Sequence, residues 1–454
     1  MMSTSGIPVR PTPRMQGFLR IGVGKLMLLS GACTVLFWAW LFHRENANSD
    51  TAVTNFNISQ LNHDDSKQRL MGAENLYRVA PENLGRTVLA LAGAIGDTDW
   101  KVRRAAASSM VIAIGNCAER RKGEVKEEID LATAALLRDF HDPNAEARAR
   151  VVNGIGNLQI SMASSWSPPP STPTIQLGPD AKRVLGPLRA MMKDTDARVR
   201  ECAFYSYACV AHANMEEPEP ILDFIENDVS PIVRTHAIHY LMRIWRAQLN
   251  LYPSIIREIN RAKNNEERQE AARMLGNPEL SPPTPDLLPA LMKLLEIDDP
   301  TLRRYLPVPL GLLSKDAKSA LPALLPLARK EIEGDSEFSA VHAMIAIDSD
   351  SSETQSLLPS LVKELRLHAD DQRGNWILTV FSRFGTSARG VGPLLREDLK
   401  SPRPPVRRNA VFVLEAIGPA AKDALPDLTT LLRTENDQKM QERVQAAVMS
   451  INKQ

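Results

Sequence analysis

The sequence has few aromatic residues and few runs typical of β-strands. Phe, Trp and Tyr together make up 5% of the 454 residues, while Leu, Ala, Arg and Glu recur throughout. This composition is typical of a helical protein and argues against a fold built mainly from strands. Because 454 residues exceed the size at which one compact core stops growing, we expect several domains or an elongated array of repeats.

Cysteine is scarce and its spacing is irregular. The four residues Cys33, Cys117, Cys202 and Cys209 form no CxxC pair, which excludes the usual frameworks of a disulfide-rich protein or a structural zinc site. The sequence also lacks a P-loop, a GxSxG motif and an HExxH motif. We therefore predict no catalytic, cofactor-binding or metal-binding residues and no enzymatic activity.

An excess of charge of either sign is also missing. The chain has 55 basic and 54 acidic residues, and residues 1–44 contain five of the basic ones and no acid. The remaining chain is slightly acidic, so it has no general electrostatic attraction for a polyanion. We expect no nucleic-acid partner.

One long apolar segment lies near the N-terminus. Residues 21–42 carry a single charge, Lys25, and 22 residues of helix are enough to cross a bilayer. The flanking basic residues precede the segment, which predicts a cytoplasmic basic tail at 1–20 and an extracytoplasmic C-terminal body. An uncleaved signal anchor is favoured over a cleaved signal peptide, and over lipidation at Cys33, because the apolar run continues beyond both candidate sites.

The region after the anchor is polar. Residues 43–71 lack helical periodicity, which predicts a spacer between the membrane and the body. Asn57 opens an NIS triplet that matches the acceptor pattern for glycosylation.

The body, residues 72–454, contains an internal repeat. The stretches DTDWKVR at Asp97 and DTDARVR at Asp194 have relatives at Asn227, Ile297 and Lys400, each with a polar turn followed by an aliphatic residue and Arg. From Val199 onward, the aliphatic positions are separated by 34 residues or by multiples of about 35. Leucine-rich segments with three- and four-residue steps lie between them, so each repeat is predicted to be a pair of helices.

The opening motif has the chemistry of a helix start. We predict that Asp99, Asp196 and Ser401 accept hydrogen bonds from first-turn amides. The prolines Pro231, Pro300, Pro404 and Pro405 suit first-turn positions, and five glycines, Gly115, Gly156, Gly276, Gly385 and Gly418, are predicted to end helices. The aliphatic residues are predicted to enter the core: Val102, Val199, Val233, Leu302 and Val406. Each following arginine is predicted to pair with a turn carboxylate of its own or a neighbouring repeat: Arg103, Arg200, Arg234, Arg303 and Arg407.

These helix pairs resemble HEAT repeats. The stretch GPAAKDALPDLTTLL from Gly418 is similar to a first HEAT helix, and PPVRRNAVFVLEAIG before it to a second, in the short HEAT-like type also found in phycobilin lyases. The resemblance covers residues 72–454 and implies a right-handed α-solenoid of about ten pairs, as in membrane-anchored bacterial HEAT-repeat proteins. Some HEAT-repeat proteins bind iron through His-Glu dipeptides, and this sequence has none. His236 and His239 lie one turn apart without an acidic neighbour, which favours surface or packing roles.

A proline-rich insertion interrupts the repeats at 160–179. We predict an exposed loop there, with Trp166 as a candidate partner contact. The resemblance implies a membrane-anchored scaffold that binds a protein partner along its solenoid surface, and it leaves a lyase-like or other ligand-binding enzyme as the alternative.

Overall fold

A computed structural model describes most of the body of the chain. It covers residues 50–121, 124–159, 182–214, 216, 219–245, 248–334 and 337–453. The predicted tail at 1–20, the anchor at 21–42, the insertion at 160–179 and Trp166 lie outside these residues. Within the described ranges, no helix has both the length and the apolar character needed to cross a membrane.

The described residues contain helices and no strands, which confirms the all-α prediction. The chain divides into two compact units, Met1–Glu217 and Pro218–Gln454. The first unit contains four helix pairs: α1 (residues 50–60) with α2 (Ser66–Asn75), α3 (Leu84–Ala94) with α4 (Trp100–Arg120), α5 (Lys126–Arg138) with α6 (Ala145–Gln159), and α7 (Lys182–Met191) with α8 (Ala197–Ala213).

The second unit contains seven described pairs, which brings the total in the described residues to eleven. The bounds are α9 (Glu219–Asn227) with α10 (Pro231–Ile244), α11 (Tyr252–Arg261) with α12 (Asn265–Met274), α13 (Leu288–Leu295) with α14 (Pro300–Tyr305) and α15 (Pro307–Leu312), α16 (Leu321–Glu333) with α17 (Ser339–Asp348), α19 (Leu358–Leu367) with α20 (Gln372–Phe384), α21 (Gly392–Asp398) with α22 (Pro404–Ile417), and α23 (Leu425–Thr434) with α24 (Gln438–Ile451). A single turn, α18 (Ser352–Gln355), precedes α19.

Helix starts follow from local chemistry. Asp99 and Asp196 are the N-caps of α4 and α8, and their carboxylates accept hydrogen bonds from the amides two residues later at 2.9 Å. The prolines Pro231, Pro300 and Pro404 each occupy the first residue of a helix, where the missing amide hydrogen costs nothing. The second helices therefore begin where short polar turns meet apolar runs.

The core lies between the two helices of each pair and between neighbouring pairs. All five predicted aliphatic positions are buried: Val102, Val199, Val233, Leu302 and Val406. Close approach explains some small residues, since a side chain at Gly156 of α6 would collide with Ser206 of α8. The described cysteines, Cys117, Cys202 and Cys209, are free thiols, and burial raises the pKa of Cys209 to about 12.

The described part of the region predicted as a spacer, 43–71, is helical, with α1 at 50–60 and α2 beginning at Ser66. The polar side chains of Thr54 and Asn57 are the buried ones of α1, with 2% and 5% exposure. The buried side of α1 has no apolar stripe in the sequence, so helical periodicity did not predict this helix. Burial of Asn57 also argues against its use as a glycan acceptor.

Two of the five predicted helix-ending glycines lie inside helices, and a third follows a helix without the predicted left-handed conformation. Gly115 and Gly156 lie inside α4 and α6, whereas Gly276 follows α12 without a positive φ. Gly385 and Gly418 end α20 and α22 with φ of +53° and +64°. An interior glycine costs only about 1 kcal/mol, so strong helix formers on either side can carry a helix through it. The prediction that Ser401 caps a helix is also wrong, because the N-cap of α22 is Arg403 and Ser401 lies two residues earlier.

Candidate functional site

A regular side-chain device, which we call the turn clamp, opens most of the second helices. A long polar side chain four residues after the N-cap donates a hydrogen bond to the carbonyl two residues before the cap. In the described chain this donor is found at Arg69, Arg103, Arg148, Arg200, Arg234, Gln355, Arg407 and Gln441. The clamp satisfies carbonyls that a tight turn would otherwise leave unpaired.

Five of the clamp arginines also bind a carboxylate in the following helix pair or its turn. The nitrogen–oxygen distances are 2.5–2.9 Å for Arg69–Asp97, Arg103–Asp142, Arg148–Asp194, Arg234–Glu258 and Arg407–Glu435. We call this series the arginine ladder. Each rung joins one pair to the next, so the ladder fixes the spacing of neighbouring repeats.

The carboxylates of the ladder also stabilise their own turns. Asp97 and Asp194 each accept the backbone amide of the capping residue two positions later, at 2.8 Å. Burial by itself would raise the pKa of both carboxyls, but the bound arginine and this amide outweigh it and lower both pKa values below the ordinary 3.8. Both groups therefore stay charged in the folded protein at neutral pH.

The clamp is absent from α12 of the sixth helix pair, and the seventh pair departs further from the pattern. Arg303 has the position of a clamp but pairs with the exposed Asp298 of its own turn. Its helix also breaks into α14 and α15, because Pro307 and Pro309 have no amide hydrogen to continue the bonding of α14. In the next pair, Phe338 at the N-cap of α17 has no capping side chain.

A buried glutamate supplies the missing cap of α17. Glu331, near the end of α16, accepts hydrogen bonds from the amides of Ala340 and Val341 and from the Ser339 hydroxyl at 2.8–3.2 Å. Burial raises the pKa of Glu331, although these donors counteract the effect. Its carboxylate is committed to the helix start and has little capacity left for a ligand.

An open cleft lies beside this irregular pair. It has a volume of about 490 Å³, and its walls come from α15, α17 and α20, so we call it the α15–α17–α20 cleft. A second cavity of about 430 Å³ adjoins it and shares Glu337, Ser339 and Trp376. The apolar lining residues include Pro307, Val308, Leu312, Phe338, Ala346 and Trp376. These volumes match those of ordinary binding pockets, roughly 300–1,000 Å³.

Trp376 is the aromatic side chain that lines both cavities, and it is 43% exposed. On α20, the buried positions Ile377, Val380 and Phe381 face the core, while Trp376, Thr379 and Arg383 form the adjacent exposed face and line the cleft. Leu312, which is 51% exposed, presents a further apolar surface from α15. A large exposed apolar side chain within a cleft is typical of a contact with another molecule.

Some of the charged side chains around the cleft have an ion-pair or capping partner, and others do not. Glu337 pairs with Arg304 at 2.7 Å, and Glu331 caps α17. Lys330 and Arg383, both exposed, have no carboxylate partner within the described residues. Burial, with a contribution from Arg383, lowers the pKa of His342 to about 4, so this imidazole is neutral at physiological pH. Among the described residues that line the two cavities, the charged side chains without a carboxylate or capping partner are therefore positive.

The arrangement is suited to binding another molecule. The two histidines singled out in the sequence, His236 and His239, are exposed on α10. No cluster of His, Cys, Asp and Glu in the described ranges could hold a metal ion. The sequence pattern predicted Trp166 as a partner contact and did not predict Trp376. The sequence does contain a signal for Trp376, because this residue falls at the edge of the apolar stripe of α20, beside the polar positions Thr379 and Arg383.

Comparison with known proteins identifies the fold and no family. No family model matches the chain, and no curated protein does. Among solved structures, importin beta matches with a TM-score of 0.50 and 11% identity over 88% of this chain and 62% of its own. An engineered protein matches with a TM-score of 0.38, 17% identity and coverage of 88% and 99%, and a Kap121p mutant with 0.46, 14%, and 87% and 45%.

The likeness to importin beta supports the architecture predicted from the repeat. Both chains are built from stacked helix pairs of the α-solenoid class, and at this identity the likeness concerns the fold alone. The chain spans less than two thirds of importin beta and less than half of the Kap121p chain that it matches.

Proposed function

We propose that this chain is a membrane-anchored helical-repeat scaffold that holds a segment of a partner protein in the α15–α17–α20 cleft and has no catalysis of its own. The observation that carries this proposal is the exposed side chain of Trp376 in the lining of an apolar cleft and of the cavity beside it. Solenoids commonly bind partners along the surface formed by successive repeats.

The cleft has features of a protein-binding surface. Rigid aromatic side chains give a large contact area at little entropic cost, and they dominate the binding free energy of many interfaces. Thr379 and Arg383 on the same face as Trp376 supply a polar rim. Helices of three successive pairs form the walls, so a bound segment would extend across several repeats.

The membrane part of the proposal is supported by sequence and by α1. Residues 21–42 have the length and apolar character of a single span. The helix that follows exposes its apolar residues, since Val53 and Phe56 are 55% and 56% exposed while the neighbouring polar side chains are buried. At most about 29 Å of extended chain separates residue 42 from residue 50, which would keep α1 near a bilayer surface.

The assignment to short HEAT-like repeats is part of the same proposal. It is supported by the match around Gly418 and by capping residues at Asp196, Ser230, Asn264 and Asp299, which follow one another at 34 or 35 residues.

Replacing Trp376 with alanine tests directly whether the cleft is the binding surface. A photo-cross-linking residue at position 379, which lines the cleft and leaves Trp376 in place, should capture one polypeptide from the native membrane when introduced into the full-length chain, to be identified by mass spectrometry. The purified polypeptide should then bind the wild-type chain, and Trp376→Ala should raise the Kd at least 30-fold, because a central aromatic contact is worth 2 kcal/mol or more. Titration by calorimetry gives the comparison.

The control is Leu367→Ala, which removes another exposed apolar side chain, at the end of α19 and outside the cleft lining. This variant should bind as the wild type does. If Leu367→Ala and Trp376→Ala weaken binding equally, or neither does, the cleft is not the binding surface.

The orientation is tested separately with a C-terminal alkaline phosphatase fusion, which is active only outside the cytoplasm. We expect activity with the full chain and none after deletion of residues 21–42. Activity confined to a cytoplasmic reporter would reject the proposed topology.

The volume of the cleft also suits a small molecule, so a ligand-binding protein of the lyase-like class is the second candidate. A coloured or metal-containing ligand that copurifies with the full chain and is lost in Trp376→Ala would favour it over the scaffold.

A further inference from the structure

The charges on the two sides of Trp376 define the chemistry of the segment that the cleft accepts. Trp376 lines both cavities, Lys330 lies on the side of α16, and Arg383 lies seven residues along α20 on the same face as the indole. An apolar side chain seated against Trp376 would therefore have a cation on either side.

These two cations are distinct from the other basic residues of the cleft. Arg304 is neutralised by Glu337, and Arg303 by Asp298. Neither Lys330 nor Arg383 has such a partner within the described residues, although the chain as a whole has nearly equal numbers of acidic and basic residues. The neutral imidazole of His342 adds no charge, and the two carboxylates at the cleft are already committed.

An uncompensated pair of cations beside an apolar pocket selects its ligand by charge complementarity. Acidic groups placed opposite Lys330 and Arg383 would gain Coulomb attraction, while basic groups would be repelled. We infer that the cleft binds a peptide segment in which one large apolar side chain, seated on Trp376, is flanked by Asp or Glu residues. This inference rests on the proposed function, because it specifies the partner of the same cleft.

The inference is tested by panning a random dodecapeptide phage library against the full-length chain in lipid nanodiscs. Peptides lost on Trp376→Ala identify cleft binders. These should contain a large apolar residue with at least two acidic residues around it. In titrations of a synthetic copy, Lys330→Glu and Arg383→Glu should each raise the Kd about tenfold, since each reversal replaces an attraction with a repulsion at the rim.

The chain offers a matched control for net charge. Arg329 is exposed on α16 next to Lys330 but does not line either cavity. Arg329→Glu changes the net charge as much as Lys330→Glu does, and it should leave the Kd within twofold of the wild type. Raising the ionic strength should weaken binding of the acidic peptide to the wild type and have a smaller effect on the two cleft variants.

The outcomes separate this inference from the proposed function. Peptides that depend on Trp376 but lack an acidic bias, or that respond to Arg329→Glu as strongly as to Arg383→Glu, would overturn the charge inference and leave the cleft as a peptide site. Selection that yields no peptide dependent on Trp376 would overturn both.

Discussion

Replacing Arg234 with methionine is expected to lower the free energy of unfolding of the second unit by about 3–5 kcal/mol, the usual cost of leaving one member of a buried ion pair without its partner. Arg234 binds both oxygens of Glu258 at 2.8–2.9 Å and donates to the carbonyl of Asp228 at 2.6 Å. The side chains of Arg234 and Glu258 are 10% and 5% exposed. Urea unfolding followed by circular dichroism measures the change.

Two further variants separate the buried charge from the loss of packing. In the double variant Arg234→Met/Glu258→Leu no buried charge is left unpaired, because Arg261, which also contacts Glu258, is 44% exposed, so most of the stability should return. The exposed pair Arg273–Glu270 is a control, because Arg273→Met should change stability by no more than about 0.5 kcal/mol. A loss below 1 kcal/mol for Arg234→Met, or no recovery in the double variant, would show that this rung contributes little.

Replacing Gly156 with alanine is expected to destabilise the first unit by about 1–3 kcal/mol, although alanine normally favours a helix. The added Cβ would lie 2.6 Å from the Ser206 hydroxyl oxygen and 2.8 Å from its Cα, so α6 and α8 would have to separate. The buried Ser206 also accepts the Gly156 amide hydrogen and donates to the Val152 carbonyl, and both bonds would be strained. Thermal unfolding of the full chain reports the loss.

Gly93 provides the matched comparison, because it lies in α3 with no atom within 4 Å of the position of an added Cβ. Gly93→Ala should stabilise the protein by about 0.5–1 kcal/mol, the ordinary benefit of removing a helical glycine. The two substitutions thus have opposite expected signs. Stabilisation by both would mean that α6 and α8 are less closely packed than the structure indicates.

Much of the repeat could be predicted because its signals are local. An N-cap such as Asp99 and the buried Val102 depend on helix ends and helical periodicity, which are written in a few adjacent residues. The pairing of α1 with α2 was missed because its buried side chains, Thr54 and Asn57, are polar, and nothing local distinguishes them from solvent-exposed ones.

The candidate site depends on relations between distant residues. Glu331 caps α17 from the end of the preceding helix, and the clamp position at Arg303 is used differently although its motif matches the others. The cleft forms where these departures coincide, so no single motif indicates it. Trp376 could have been found from the faces of α20, but its association with Lys330 needs the stacking of three helix pairs.

The arginine ladder has a direction, because each arginine reaches toward the C-terminus and each carboxylate is held from the N-terminal side. Shortening the array from either end would therefore have unequal effects. A carboxylate such as Asp97 that loses its arginine still receives its own turn amide and lies at the positive end of a helix dipole. An arginine that loses its carboxylate remains as a cation in a first helical turn, at the unfavourable end of that dipole. The last described arginine of the ladder, Arg407, has Glu435 as its acid, and the clamp of the last described pair is Gln441, whose uncharged side chain needs none.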